Sequence, residues 1–222
     1  MTRPASARPP DDATSTSRSA QKRRAILDAA TEVFLKCGYP GASMDEIAAM
    51  SSVSKQTVYK HFESKEALFV DIVTGMTDAA GDMVHDRTPV FDGDDGLAAY
   101  LQDYAHRQLT VVLTPRIMQL RRLVIAEVSR FPDLARVLYQ RGPARALAEL
   151  AALFERLAAR GLLTLDDPAM AASHFNWLVM SEPLNRAMLL GDAAIPGRQE
   201  LRRYAVEGVR VFLAAYGTDR RG

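Results

Sequence analysis

The stretch ASMDEIAAMSSVSKQTVYKHFESKEALF, residues 42–69, decides how the N-terminal third of the chain folds. Ser43 stands where a helix N-cap belongs, and Asp45 and Glu46 fall in the first turn behind it, where the helix dipole favours negative charge. Met44, Ile47 and Ala48 give that short helix one apolar side. After Met50-Ser51-Ser52-Val53-Ser54 a second helix, about two turns long, runs from Lys55 to Phe62. Val58 and Phe62 are four residues apart, share one face, and are expected to pack back onto Ile47 and the preceding helix. The other positions are nearly all hydrogen-bond donors. A short helix with one narrow apolar face and donors elsewhere suits insertion into a DNA groove.

The spacing assigns roles within that helix. Gln56 is placed for a bidentate contact to adenine and Lys55 to donate to guanine, while Thr57 offers a hydroxyl and a methyl group. Tyr59, Lys60 and His61 lie further along, where side chains hold phosphates. Ser43, and Ser64 with Lys65, open helices whose N-termini attract anions. The candidate DNA contacts are therefore Ser43, Lys55, Gln56, Thr57, Tyr59, Lys60, His61 and Lys65.

Upstream, Ile26, Ala30, Val33, Phe34 and Cys37 recur at helical spacing before Gly38, which reads as a stop. Downstream, Leu68, Phe69, Ile72, Val73 and Met76 line one side of a helix capped by Ser64. Residues 1–19 are rich in Pro, Ser, Thr and Ala without apolar periodicity and read as a disordered arm. The cluster Arg87 to Gly96 reads as a breaker between domains. Beyond it, helices are expected over 97–112, 116–130, 133–140, 144–160, 168–190 and 198–216, with Asp167-Pro168 as the clearest start signal. The fold class is all-α. The expected organisation is an arm over 1–19, a DNA-binding domain over 20–66 with its helix-turn-helix at 43–62, a helical body over 67–216 and a tail over 217–222.

The net charge of +1 excludes a globally basic nucleic-acid binder, so any DNA contact rests on a local patch. The single cysteine, Cys37, precludes an intrachain disulfide and suits a reducing, cytoplasmic setting. The first twenty residues lack the apolar core of a secretion signal. The longest uncharged run, Pro168 to Ser181, falls short of the roughly 20 apolar residues of a membrane span, so no membrane partner is expected. Phosphate loops, His-Glu-x-x-His and Gly-x-Ser-x-Gly are missing, and His61, His85, His106 and His174 are scattered. Neither an enzyme nor a metal or cofactor is expected.

The run Tyr59-Lys60-His61-Phe62-Glu63-Ser64-Lys65-Glu66-Ala67-Leu68 resembles the TetR/AcrR family signature Tyr-x-His-Phe-x-x-Lys-x-x-Leu. Gly38-Tyr39, Ser43 to Ala48 and Val53-Ser54 match as well. Two positions depart from the family pattern. Ser52 stands where a glycine is frequent, and Gln56 replaces a common glycine on the recognition helix, which alters the operator read and not the binding mode. The resemblance implies a homodimer on a palindromic double-stranded DNA operator, released by a small hydrophobic or amphipathic effector. It implies a repressor, with a ligand-responsive activator or a helical adaptor for a protein partner as alternatives.

The pair 144–160 and 168–190 resembles the C-terminal bodies of an AefR-like branch. The second of these is apolar almost all round through its middle and needs covering on both faces, so the two are expected to form a four-helix bundle between subunits, with a sandwich within one chain as the alternative. Pro183 is expected to bend that helix, with Glu182 and Asn185 in structural roles beside it. Tyr104, Met118, Arg122, Phe154, Phe175, Trp177 and Met180 are the candidate effector contacts, as apolar walls with a polar anchor.

Overall fold

The computed structural model describes residues 11–85 and 95–218, in which helices joined by turns and loops make up the fold and no named strand occurs. Ten helices follow in order: α1 (Asp11–Gly41), α2 (Met44–Met50), α3 (Lys55–His61), α4 (Lys65–His85), α5 (Asp95–Val112), α6 (Pro115–Ala126), α7 (Pro132–Tyr139), α8 (Arg145–Ala159), α9 (Pro168–Leu190) and α10 (Arg198–Tyr216). Two compact units divide between Ile72 and Val73, inside α4 and not at its start.

The N-terminal unit is organised around α1. Ile26, Ala30, Val33 and Phe34 are buried there with Met44, Ile47 and Ala48 of α2, Val58 of α3, Phe62, and Leu68 and Phe69 of α4. The rings of Phe34, Tyr39 and Phe69 lie 4.8–5.8 Å apart, centroid to centroid. Gly38 breaks the helical path with φ 72°, as its position before Tyr39 suggests. Cys37, expected on the apolar face, is exposed.

The disordered reading of 1–19 is corrected over 11–19, which are helical as the first turns of α1. Propagating an existing helix costs far less than nucleating one, so the strongly apolar 26–34 segment carries these weak formers with it. Residues 1–10 and 219–222, and most of the Arg87 to Gly96 breaker, lie outside the described residues.

In the C-terminal unit an aromatic cluster forms the centre of the core. Phe154 of α8, Phe175 of α9 and Phe212 of α10 are fully buried, with centroids 4.8–5.5 Å apart, and Tyr104 of α5 lies against Phe175 at 6.1 Å. Helix starts follow the expected punctuation. Thr114 and Asp167 cap α6 and α9 through their side chains, and Pro115, Pro132 and Pro168 occupy first-turn positions. The expected break at Arg141-Gly142-Pro143 is instead a π-helical turn, Gln140–Ala144, running straight into α8. The wider turn accommodates a proline that lacks its N–H.

α9 continues through a buried Pro183. Beside it, Glu182 accepts from the Tyr204 hydroxyl, and the Asn185 amide donates to the Ser181 carbonyl at 2.7 Å, both structural roles. Gly208 of α10 lets that helix pass close over α9, since a Cβ there would lie 2.9 Å from Val179 Cγ2 and 3.2 Å from the Leu178 carbonyl oxygen. On α9 and α10 the apolar side chains Met170, Trp177, Leu178, Leu189, Leu190 and Val211 are uncovered, as are Met83 of α4, Ile125 of α6, Val128 just beyond it and Tyr139 of α7 elsewhere in this unit. By contrast α8 buries its Leu150, Leu153, Phe154 and Leu157 face in its own subunit.

Candidate nucleic-acid interface and effector cavity

In the N-terminal unit, the head, three serines cap the short helices α2 and α3 and the long helix α4. Ser43 accepts from the Glu46 N–H at 3.1 Å, Ser54 from the Thr57 N–H at 3.1 Å, and Ser64 from the Ala67 N–H at 3.0 Å. Between α2 and α3 the chain turns through Ser52 in the left-handed region, with φ 55°. A serine there costs about 1 kcal/mol relative to glycine. The Val53 N–H bonds back to the Ala48 carbonyl at 3.1 Å, so α3 leaves the turn in one direction.

That geometry separates the faces of α3. Val58 is fully buried and Phe62, its C-cap, nearly so, while Lys55, Gln56, Tyr59 and Lys60 are exposed. Tyr59 keeps 45% of its surface. Thr57 is half-buried with its hydroxyl 2.8 Å from that of Ser54, so it presents mainly its methyl group. His61 is half-buried in the last turn with Lys60, where positive charge suits the helix dipole. Lys55 pairs with Asp45 of α2 at 2.8 Å, and that hydrogen bond raises its pKa. Both partners are exposed, so water screens the pair and a phosphate or base edge competes for the ammonium.

Lys65 is engaged within the N-terminal unit. Its ammonium donates to the carbonyls of Tyr39 at 2.9 Å and Ala42 at 3.0 Å, and stands 4.6 Å over the Tyr39 ring. It fastens the end of α1 to the start of α4, so that a structural role stands beside the expected DNA contact. On α1 sequence reasoning passed over a basic run. Lys22 and Arg24 are exposed, and Arg23 pairs with Asp71 at 2.5 Å while lying 5.1 Å over the Phe62 ring.

In the C-terminal unit a cavity of about 300 Å³, at the small end for a ligand site, opens among α4, α5, α6, α7, α8 and α9. Of the expected effector contacts, Trp177 and Met180 line it. Tyr104, Met118, Phe154 and Phe175 belong instead to the packed core beside it, and burial pushes the Tyr104 hydroxyl pKa well up. Arg122 is corrected too. It donates to the Ala187 carbonyl at 2.9 Å and to Asp192, which Gln119 also bonds, so it ties α6 to the end of α9. Its neighbour Arg121 lines the cavity. Helical phase carries that signal: Arg121 follows Ile117 by four and Met118 by three, on the inward face.

On the α4 side of the cavity, Thr77 meets Gly142, where a Cβ would come within 3.0 Å of its methyl group, and Gly81 meets Arg145. Asp78 pairs with Arg141 at 3.1 Å and Asp82 with Arg145 at 2.9 Å, clasping this part of α4 to the π turn and α8.

Two family models match this chain: that of the bacterial regulatory proteins of the tetR family over residues 26–72, and that of the AefR-like transcriptional repressor C-terminal domain over residues 99–218. The chain belongs to the TetR family. The second match spans more than half the sequence and covers the cavity-bearing unit apart from α4 and the start of α5.

This TetR-family protein is similar along most of its length to a solved TetR-family transcriptional regulator from Mesorhizobium loti. The identity is 39%, with 90% of this chain and 99% of that one covered and a TM-score of 0.83. The solved Flavonoid-responsive Regulator FrrA is 31% identical over 91% of this chain and all of its own, with a TM-score of 0.73. Among curated relatives, the HTH-type transcriptional regulator YhgD of Bacillus subtilis is 30% identical over 115 residues, half of this chain and 60% of YhgD. The HTH-type transcriptional activator FasR of Mycolicibacterium smegmatis is 45% identical over 53 residues, 24% of either chain. The chain thus spans less than two thirds of the curated relatives it matches.

Proposed function

We propose that this TetR-family chain is a cytoplasmic, sequence-specific transcriptional repressor that binds a palindromic operator as a homodimer and is released by a small amphipathic effector. It acts by binding alone, without catalysis or cofactor. The observation that carries this reading is α3: its apolar side is sealed by Val58 and Phe62 while Gln56, Tyr59 and Lys60 stand exposed on the rest. Two such helices from a dimer, spaced by about 34 Å, enter successive major grooves.

The dimer surface we assign is the face of α9 and α10, in place of the pairing of α8 and α9 expected from the sequence. Leu178 and Val211 are 39% and 41% exposed on the two helices that Gly208 brings together. Exposed apolar surface of this kind is what a partner subunit covers. Leu178→Glu combined with Val211→Glu is expected to turn a sedimenting dimer into a folded monomer. Affinity for an inverted repeat then falls by roughly a hundredfold, because the two heads no longer bind as one linked unit. A double variant that still sediments as a dimer places the interface elsewhere.

The effector acts through α4. Met76, Thr77, Ala80 and Gly81 wall the cavity, and the same helix begins at Lys65 in the head. A ligand that fills the cavity presses on the clasp between α4 and the π turn. The coupling available to such a switch is about 1–3 kcal/mol.

A further inference from the structure

The cavity holds a cation that no described carboxylate balances. Arg121 lines its wall, yet no Asp or Glu pairs with it among the described residues, and no hydrogen bond engages its guanidinium. Its neighbour shows the alternative, since Arg122 has both a carboxylate and a backbone carbonyl. Desolvation by the surrounding protein lowers the pKa of Arg121, with no opposing attraction. In the same cavity the Gln108 side chain is buried; its amide donates to Asn176 at 2.9 Å, and its oxygen Oε1 has no donor among the described residues. The remaining wall is mostly apolar, including Met76, Val112, Leu120 and Trp177.

Arg121 is half-buried, and drawing even part of a cation out of water without a partner is costly, so a chain selected for stability alone replaces it with an apolar residue. A site that keeps the cation has a use for it. We infer that the cavity is built for an amphipathic organic anion, whose charged group pairs with Arg121, whose hydrogen-bond donor meets Gln108, and whose apolar body lies against Met76, Val112 and Trp177. This rests on the reading of the cavity as the effector site and adds the sign of the effector's charge.

Trp177 is the single tryptophan of the chain and lines the cavity, so energy transfer from it reports occupancy. The probes are anilinonaphthalene sulfonate and its neutral parent phenylnaphthylamine, which share one ring system and one N–H and differ by the anionic group. The full-length protein is expected to bind the sulfonate at least about tenfold more tightly than the neutral dye. In Arg121→Met that preference collapses to within about twofold, through loss of sulfonate affinity alone, while the neutral dye binds as before. The thermal midpoint of the variant is no lower than that of the wild type, which a merely structural arginine does not allow. An unchanged preference in Arg121→Met overturns the inference while leaving the cavity as the ligand site. Absence of energy transfer to either dye removes the cavity from the effector reading altogether, and the inference with it.

Discussion

Replacing Gln56, Tyr59 and Lys60 together by alanine is expected to lower affinity for operator DNA by roughly a thousandfold, leaving the thermal midpoint within about two degrees of wild type. All three side chains are exposed on α3 and none is in the core, so folding does not use them. Each good base contact carries about 1–3 kcal/mol of discrimination, and the lysine adds charge neutralisation at a phosphate. The salt dependence of binding flattens accordingly, because fewer counterions are released. Lys65→Met behaves in the opposite way. Its ammonium holds the Tyr39 and Ala42 carbonyls, so the variant melts earlier but keeps the salt slope of the wild type. A loss of about one unit of slope on removing Lys65 makes it a phosphate contact after all.

The body answers to a different residue. Phe154→Ala is expected to destabilise the protein by about 3–5 kcal/mol, read as a lower midpoint in urea denaturation. Phe154 is fully buried and touches the rings of Phe175 and Phe212, so truncation leaves a void bounded by α8, α9 and α10. Domains of this size hold about 5–15 kcal/mol in total, so the loss is a large share of what keeps the unit folded. A cost below about 1 kcal/mol means that the cluster collapses onto the gap and is not tightly packed.

Much of this was legible in residues 42–69. Local chemistry governs that stretch: a serine three positions before the amide it caps, apolar residues at a spacing of four, and a turn of fixed length. The starts of α6, α7 and α9 were legible for the same reason, as a proline or a capping side chain acts within one turn. Ser52 was singled out as the position where a glycine is frequent, and its positive φ bears that out. What sequence reading missed depends on partners far along the chain. Lys65 bonds carbonyls 23 and 26 residues away, and Arg122 pairs with Asp192, 70 residues on. Apolar composition alone assigned Phe154, Phe175 and Tyr104 to the ligand, although aromatic residues at helical spacing fill a core equally well. Which helix faces a partner subunit is likewise a matter of distant packing: Gly208 lets α10 pass close over α9, and no local signal marks that approach in the sequence. Composition over 11–19 argued for disorder, but it is read without the helix that those residues extend.

The central claim is that α3 reads a DNA sequence twice, once from each subunit. Selection of binding fragments from a random DNA pool by the purified full-length protein, followed by gel shift across a salt series, tests it most directly. Enrichment of one inverted repeat is expected, with half-sites about one helical turn apart and affinity that falls steeply with salt. Enrichment of no sequence by a folded, effector-free dimer, or binding indifferent to salt, contradicts it.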